Sequence, residues 1–141
     1  YFSKFIDSPY WKNRLLFWAC FLRGFTGFLH WGYNYWDTSD IYFGFTPKAY
    51  FKGDGYIVYP DPEHDAVRTS IRMENTRDAA EDYELLALLA KADPEKAYQL
   101  ARRVANSFHD FTWDTGKMKA ARLELLQAVE SACASSQAGS L

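Results

Sequence analysis

Two short apolar runs, Thr26–Trp31 and Tyr56–Tyr59, are all that reads as strand in a chain otherwise patterned for helix. This constrains the fold more than any other feature. A sheet of two strands cannot bury both of its faces. The runs are rich in aromatics and flanked by glycine, which suits buried strands of a parallel α/β sheet. The order of elements is helix, strand, loop, strand, then three helices. It predicts an α/β fold, helix-rich in this chain, with the two strands parallel. Such a sheet needs completing by further sequence or by another chain.

The helices are marked by their ends and their stripes. Ser8-Pro9 offers an N-cap and a first-turn proline, and Gly24 a stop, so a helix is predicted over Pro9–Arg23. Trp11, Leu15, Trp18 and Leu22 fall on one face of it. From Ser70 the period is helical again, with Ala79, Tyr83, Leu86 and Ala90 on a stripe and Leu85 and Leu89 beside it. Asp93-Pro94 opens the next helix, with Ala97, Leu100, Ala101, Val104 and Phe108 inward. A last helix is expected over Asp114–Cys133, carrying Ala121, Leu125, Ala128 and Ala132 on one side. The tail Ala134–Leu141 is small and polar and is expected to fray. No internal repeat is present.

Composition narrows the function. The 141 residues suit one domain, and 16 Lys and Arg against 18 Asp and Glu leave a net charge of -2. No basic face for nucleic acid is implied. No apolar run reaches the roughly 20 residues a membrane helix needs, so neither nucleic acid nor membrane is an expected partner. Cys20 and Cys133 belong to no Cys/His cluster. They support neither a disulfide framework nor a metal site and read as small buried apolar groups. No cofactor is expected. Aromatic residues make up 18% (5 Trp, 10 Tyr, 11 Phe), a load that belongs to a dense core, an interface or a stacking cleft. The chain opens on Tyr1 directly into a folded pattern, which reads as a piece of a longer polypeptide.

The richest segment is His30-Trp31-Gly32-Tyr33-Asn34-Tyr35-Trp36, at the C-terminal end of the first predicted strand. In α/β barrels that end faces the active site. Trp and Tyr rings stack on the apolar faces of sugars, and Asn both donates to and accepts from hydroxyls or amides. Core or rim packing is the competing reading for each ring, and a hydrogen-bonded buried histidine for His30. The segment opens a long aromatic loop, Gly32–Phe51, longer than compact domains usually carry without a use for it. Gly53-Asp54-Gly55 reads as a turn before the second strand, which Pro60-Asp61-Pro62 closes. Arg72, Glu74, Arg77, Asp78, Glu81, Asp82 and Glu84 crowd the start of the next helix. Alternating charges at this spacing usually make a solvated face. Arg72 and Glu74, beside the end of the second strand, are equally well placed as site framework, where an Arg can hold a carboxylate or a loop.

These segments together resemble the C-terminal part of the catalytic region of glycoside hydrolase family 123-like proteins. The family pattern is G-F-L-H-W-x-x-N-x-W, then G-D-G-x-x-x-Y-P, then S-x-R-x-E-x-x-R-D-G-x-E-D-Y-E-x-L. It is met here by Gly27–Trp36, Gly53–Pro60 and Ser70–Leu86, with the likeness running over roughly residues 14–90. Ala79 stands where the family usually has Gly, a change that bears on helix packing more than on chemistry. The resemblance implies a (β/α)8 TIM barrel that removes terminal N-acetylgalactosamine from β-glycosides. It implies a retaining, substrate-assisted mechanism: the acetamido oxygen attacks the anomeric carbon while an adjacent Asp-Glu pair orients it and serves as acid/base. That pair lies upstream in the family, and Glu81-Asp82 does not match it in order or place. Residues 1–91 are then the last two strands of the barrel domain and 92–141 terminal helices packed on it. A chain like the family would be exported from a bacterium.

Three functions follow as alternatives. The chain is a glycosidase fragment whose Trp31, Tyr33, Asn34 and Trp36 bind a β-linked N-acetylhexosamine glycoside, with His30, Arg72 and Glu74 as framework and no catalytic residue of its own. Or it is a carbohydrate-binding module using its rings as a platform. Or it is a structural or interaction piece whose aromatics are core and interface. Under the first reading its partners are the sugar and the remainder of the barrel or another chain.

Overall fold

A computed structural model describes residues 2, 4–36, 41–42 and 53–138. Four helices and one two-stranded sheet follow in the order α1 (Lys12–Leu22), β1 (Val58–Asp61), β2 (Ala66–Thr69), α2 (Ile71–Ala92), α3 (Pro94–Val104) and α4 (Thr115–Ala138). The protein is helix-rich α/β.

The helix signals act much as the sequence predicts. Gly24, at φ 67°, ends α1 in a left-handed residue that glycine adopts without strain. The Gly24 and Phe25 amides donate back to Phe21 O and Cys20 O, which satisfies two end carbonyls. The start of α1 differs from expectation. Residues 9–11 form a turn with i→i+3 bonds, and Trp11 sits at the N-cap without a side-chain bond. The Ser70 hydroxyl accepts from Met73 N and donates to Ile57 O at 2.5 Å, so one side chain caps α2 and ties it to the segment entering β1. Asp93 caps α3 by accepting from Lys96 N, and Asp114 Oδ1 accepts from Gly116 N and Lys117 N at the start of α4. Helix α4 continues to Ala138, past the point where fraying was expected.

The core lies among the four helices. Leu15, Trp18, Ala19, Leu86, Leu100, Ala101, Val104, Ala121 and Leu125 are buried together. Cys20 is buried, as expected, but Cys133 is exposed. Its position lies one residue beyond the Ala121–Leu125–Ala128–Ala132 stripe, on the solvent side. Asp82 also departs from expectation. It is fully buried, because its spacing places it on the Ala79–Leu86–Leu89 stripe of α2. Arg14 grips its carboxylate through Nε at 2.6 Å and Nη2 at 3.0 Å, and Trp18 Nε1 (3.0 Å) and Arg122 Nε (2.9 Å) complete the set. One carboxylate thus joins α1, α2 and α4.

The strands differ most. Thr26–Trp31 is not a strand: it is irregular backbone, and Phe25, Phe28, Leu29 and Trp31 along it are exposed. A strand needs a neighbour to accept its ladder, and among the described residues this segment has none. The second run forms β1, but Pro60 and Asp61 belong to it rather than closing it. β1 pairs antiparallel with β2 in the register Val58↔Thr69, Tyr59↔Arg68, Pro60↔Val67 and Asp61↔Ala66. Among the described residues β1 has β2 as its one ladder partner, so a proline whose nitrogen faces away from β2 costs no ladder bond. Residues 33–35 meet 55–57 antiparallel as well, through Tyr35 N to Gly55 O (2.9 Å) and Ile57 N to Tyr33 O (2.8 Å). The parallel pairing expected of the two runs is therefore not observed.

Candidate functional site

The segment His30–Trp36 lies against the turn Gly53–Gly55 and the start of β1, and backbone geometry explains how. Gly32 is buried against Gly55. A Cβ on Gly32 would fall 2.5 Å from Gly55 O, so only glycine lets the two backbones come this close. Gly53 takes φ 82° to make the turn. Gly55 lies beneath the Trp31 ring, where a Cβ would meet Cη2 at 3.0 Å. The Gly-Asp-Gly motif therefore provides a bend on one side of the aspartate and room for a ring on the other.

Each expected site residue has a definite place. Trp31 is half exposed, and its Nε1 donates to Asp54 Oδ2 at 2.8 Å. Its ring centroid is 5.9 Å from that of Tyr35. Tyr33 is exposed and holds Ile57 N through its carbonyl. Asn34 pairs with Tyr56 as an antiparallel bridge flanked by the two backbone bonds above, an arrangement that puts both side chains close together on one face. Tyr33 and Tyr35 point to the other face. Trp36 Nε1 donates to Val58 O at 3.1 Å, anchoring the end of the segment on β1. The four expected binding residues thus lie on one braced ribbon but not on one face.

His30 is half buried, and its Nε2 lies 2.7 Å from Asp54 O. A carbonyl only accepts, so Nε2 carries the proton. Burial pulls the imidazole pKa below its usual value, partly offset by that hydrogen bond. The ring is neutral near pH 7, and Nδ1 holds a lone pair. Arg72 is buried at 3% exposure. It donates to Lys4 O at 2.9 Å and to Gly53 O, and its guanidinium lies 5.4 Å from the Tyr56 ring centre and 6.0 Å from that of Tyr59. It fixes the turn that carries Asp54. Glu74 points elsewhere: it pairs with Arg77 at 2.8 Å, one turn along α2.

The sequence reading missed two residues. Lys4 is buried at 1% exposure. Its ammonium donates to Thr76 Oγ1 at 2.7 Å, its backbone N–H donates to Asp54 Oδ1 at 3.0 Å, and burial lowers its pKa to about 8 against the pull of Asp54. Asp54 itself was read only as part of a turn. The glycines on both sides of it are the one sequence signal that a side chain packs there. Asp61, Glu63 and His64 at the β1–β2 turn bring ligand atoms within 4.8 Å of one another. Arg68 already pairs with Asp61 at 3.1 Å.

Chemically, the ribbon presents half-exposed rings, one amide and one imidazole nitrogen, all braced from behind by buried donors. Such a surface suits a ligand with apolar faces and many hydroxyls. Among the described residues, no helix is long and apolar enough to cross a membrane. No curated protein matches the chain. The family model of the glycoside hydrolase 123 catalytic domain matches residues 1–89, a stretch that holds the whole ribbon, the Gly-Asp-Gly turn, the hairpin and most of α2. The chain belongs to the glycoside hydrolase 123 catalytic domain family.

Proposed function

We propose that this chain is part of a glycosidase acting on terminal β-linked N-acetylhexosamine, with N-acetylgalactosamine the favoured sugar. In this reading residues 1–91 end a (β/α)8 barrel domain, and 92–141 are helices packed on it. The exposed segment Phe25–Trp31 finds its strand neighbours in the rest of the barrel. Family membership supplies the reaction class. The observation that carries the site is the braced aromatic ribbon, whose rings are held at the surface by hydrogen bonds from Trp31 and Trp36 to the 54–58 segment.

The reaction is retaining and substrate-assisted. The acetamido oxygen attacks the anomeric carbon as the glycosidic bond breaks, and an acid protonates the departing oxygen. Water then opens the cyclic intermediate, giving up its proton to the same group acting as base. An Asp-Glu pair outside this chain orients the acetamide and handles the protons. This chain contributes binding: Trp31, Tyr33 and Trp36 as stacking surface, and Asn34 as hydrogen-bonding partner of a hydroxyl or the acetamide. His30 and Arg72 serve as framework. Glu74 belongs to the same proposal at the helix start, its pairing with Arg77 leaving it a supporting role.

Kinetics of the complete protein on an aryl N-acetyl-β-galactosaminide test this. Asn34→Ala is expected to lower kcat/KM by well over tenfold, since a charge-assisted hydrogen bond to a reacting sugar contributes about 1.5–3 kcal/mol. Trp36→Ala is expected to raise KM. Wild-type kinetics in both, with folding intact, would make the ribbon scaffold. Sugar binding by the 141-residue chain alone would instead favour a binding module.

A further inference from the structure

Asp54 makes three contacts that converge on the ribbon. Its Oδ2 takes the Trp31 indole N–H at 2.8 Å, its Oδ1 takes the Lys4 amide at 3.0 Å, and its carbonyl takes His30 Nε2 at 2.7 Å. Two consecutive side chains of the ribbon are therefore held by one residue. The hold is itself rigid. Arg72, buried in α2, donates to the carbonyls on either side, Gly53 O and Lys4 O. Lys4 is pinned in turn to Thr76 of the same helix.

The need for such a hold is physical. Trp31 is 52% exposed and stands on irregular backbone, with no strand ladder among the described residues to fix it. A free ring there would sample several rotamers, and ordering it on binding would weaken affinity. The bond to Asp54 and the floor of Gly55 beneath the ring settle its orientation beforehand. The carbonyl bond to His30 does the same for its tautomer, leaving Nδ1 as acceptor for a hydroxyl.

We propose that Asp54 is a positioning residue of the sugar-binding ribbon, acting through Trp31 and His30 rather than on the sugar. This rests on the reading of the ribbon as a sugar wall. The test uses the complete protein, with Asp54→Asn, Trp31→Phe and the double variant assayed on an aryl N-acetyl-β-galactosaminide. Trp31→Phe keeps a ring and removes the N–H that Asp54 holds. Each single change is expected to raise KM by about threefold to tenfold with kcat nearly unchanged, and the double to be no worse than the worse single. The Trp31 indole proton resonance should move upfield in Asp54→Asn, a signature that general loosening of the fold would not confine to one indole. Additive effects in the double overturn the proposal, because Asp54 then acts independently of Trp31. An unchanged KM in Asp54→Asn beside a raised KM in Trp31→Phe also overturns it and leaves the sugar reading standing. Wild-type KM in Trp31→Phe, Asn34→Ala and Trp36→Ala together removes the sugar reading and the proposal with it. Should Asp54→Asn fail to fold, Asp54→Glu takes its place: a raised KM with the Trp31 indole resonance displaced supports the anchor, and an unchanged KM overturns it.

Discussion

Asp82 shows how much one side chain can set in this protein. It is fully buried and meets two guanidinium groups and an indole N–H from two other helices. A buried carboxylate is costly unless its lone pairs are filled, and here four donor atoms fill them. Removing it leaves Arg14, which is only 15% exposed, with Asp78 alone at 3.1 Å, and strands the buried indole of Trp18. Asp82→Ala is expected to lose about 3 kcal/mol, near the low end for breaking a buried ion pair, because Arg122 retains access to water. For a chain of this size that is roughly 6–12 °C in Tm. Asp82→Asn, which keeps an acceptor, should lose less. Thermal melts of the three proteins check the order, and an Asp82→Ala variant as stable as the parent would mean the network is idle. The position was legible in the sequence, since residues 79, 82, 86 and 89 share a stripe. The chemistry was not, because a run of seven charges reads as a wet surface until a partner on a distant helix is known. Asp54 was hidden for the same reason: its partners Lys4 and Trp31 lie 50 and 23 positions away.

Among the elements, helices were legible and strands were not, and the difference lies in where the hydrogen bonds go. A helix satisfies its own backbone, so caps at Ser70, Asp93 and Asp114 and a stop at Gly24 act from local sequence alone. A strand depends on its neighbour. Thr26–Trp31 has strand composition yet forms none, and Tyr56–Tyr59 shifts forward into a hairpin whose second half, Ala66–Thr69, carries too little apolar character to be recognised. Packing of α3 on α4 adds an electrostatic tie: Glu124 pairs with Arg103 at 2.8 Å and with Lys96. These cations hold its carboxyl at about 2, below the ordinary 4.5. A lowered carboxylate stabilises the folded state at pH above its unfolded value, and that contribution disappears as pH falls through the folded one. The tie is therefore complete above about pH 5, weakens below 4.5 and is gone near 2. Glu124→Gln should melt below the parent at pH 6, with the gap shrinking steadily below pH 4.5 toward pH 2 and narrowing in high salt. A gap independent of pH would assign the loss to packing.

At the scale of the whole molecule, the helical part is self-sufficient and the ribbon part is not. The four helices bury a shared core, whereas Leu29 is 86% exposed in a segment flanked by exposed Phe28 and Trp31. An apolar stretch of this kind, beside a sheet with only two strands among the described residues, is what a larger sheet would cover. In the proposed function the same division separates binding from catalysis. Glycoside hydrolysis needs a placed acid and a stabiliser of the developing charge. Asp54, the carboxylate that braces the ribbon, has an oxygen bound to Trp31 and the other to Lys4, and Glu74 is held by Arg77. Glu81 lies within 3.9 Å of Arg77 on α2, and Asp82 is sealed in the core. None of them stands opposite the rings as a free acid. The 141-residue chain by itself is accordingly expected to release no aglycone from an aryl N-acetyl-β-galactosaminide above a buffer control. If the proposed function holds, the complete protein should do so and should lose the activity when an Asp-Glu pair outside these 141 residues is changed to Asn-Gln. Turnover by the isolated chain that disappears on mutating a carboxylate within it would place the acid here and overturn the proposed division of labour between the ribbon and the rest of the domain.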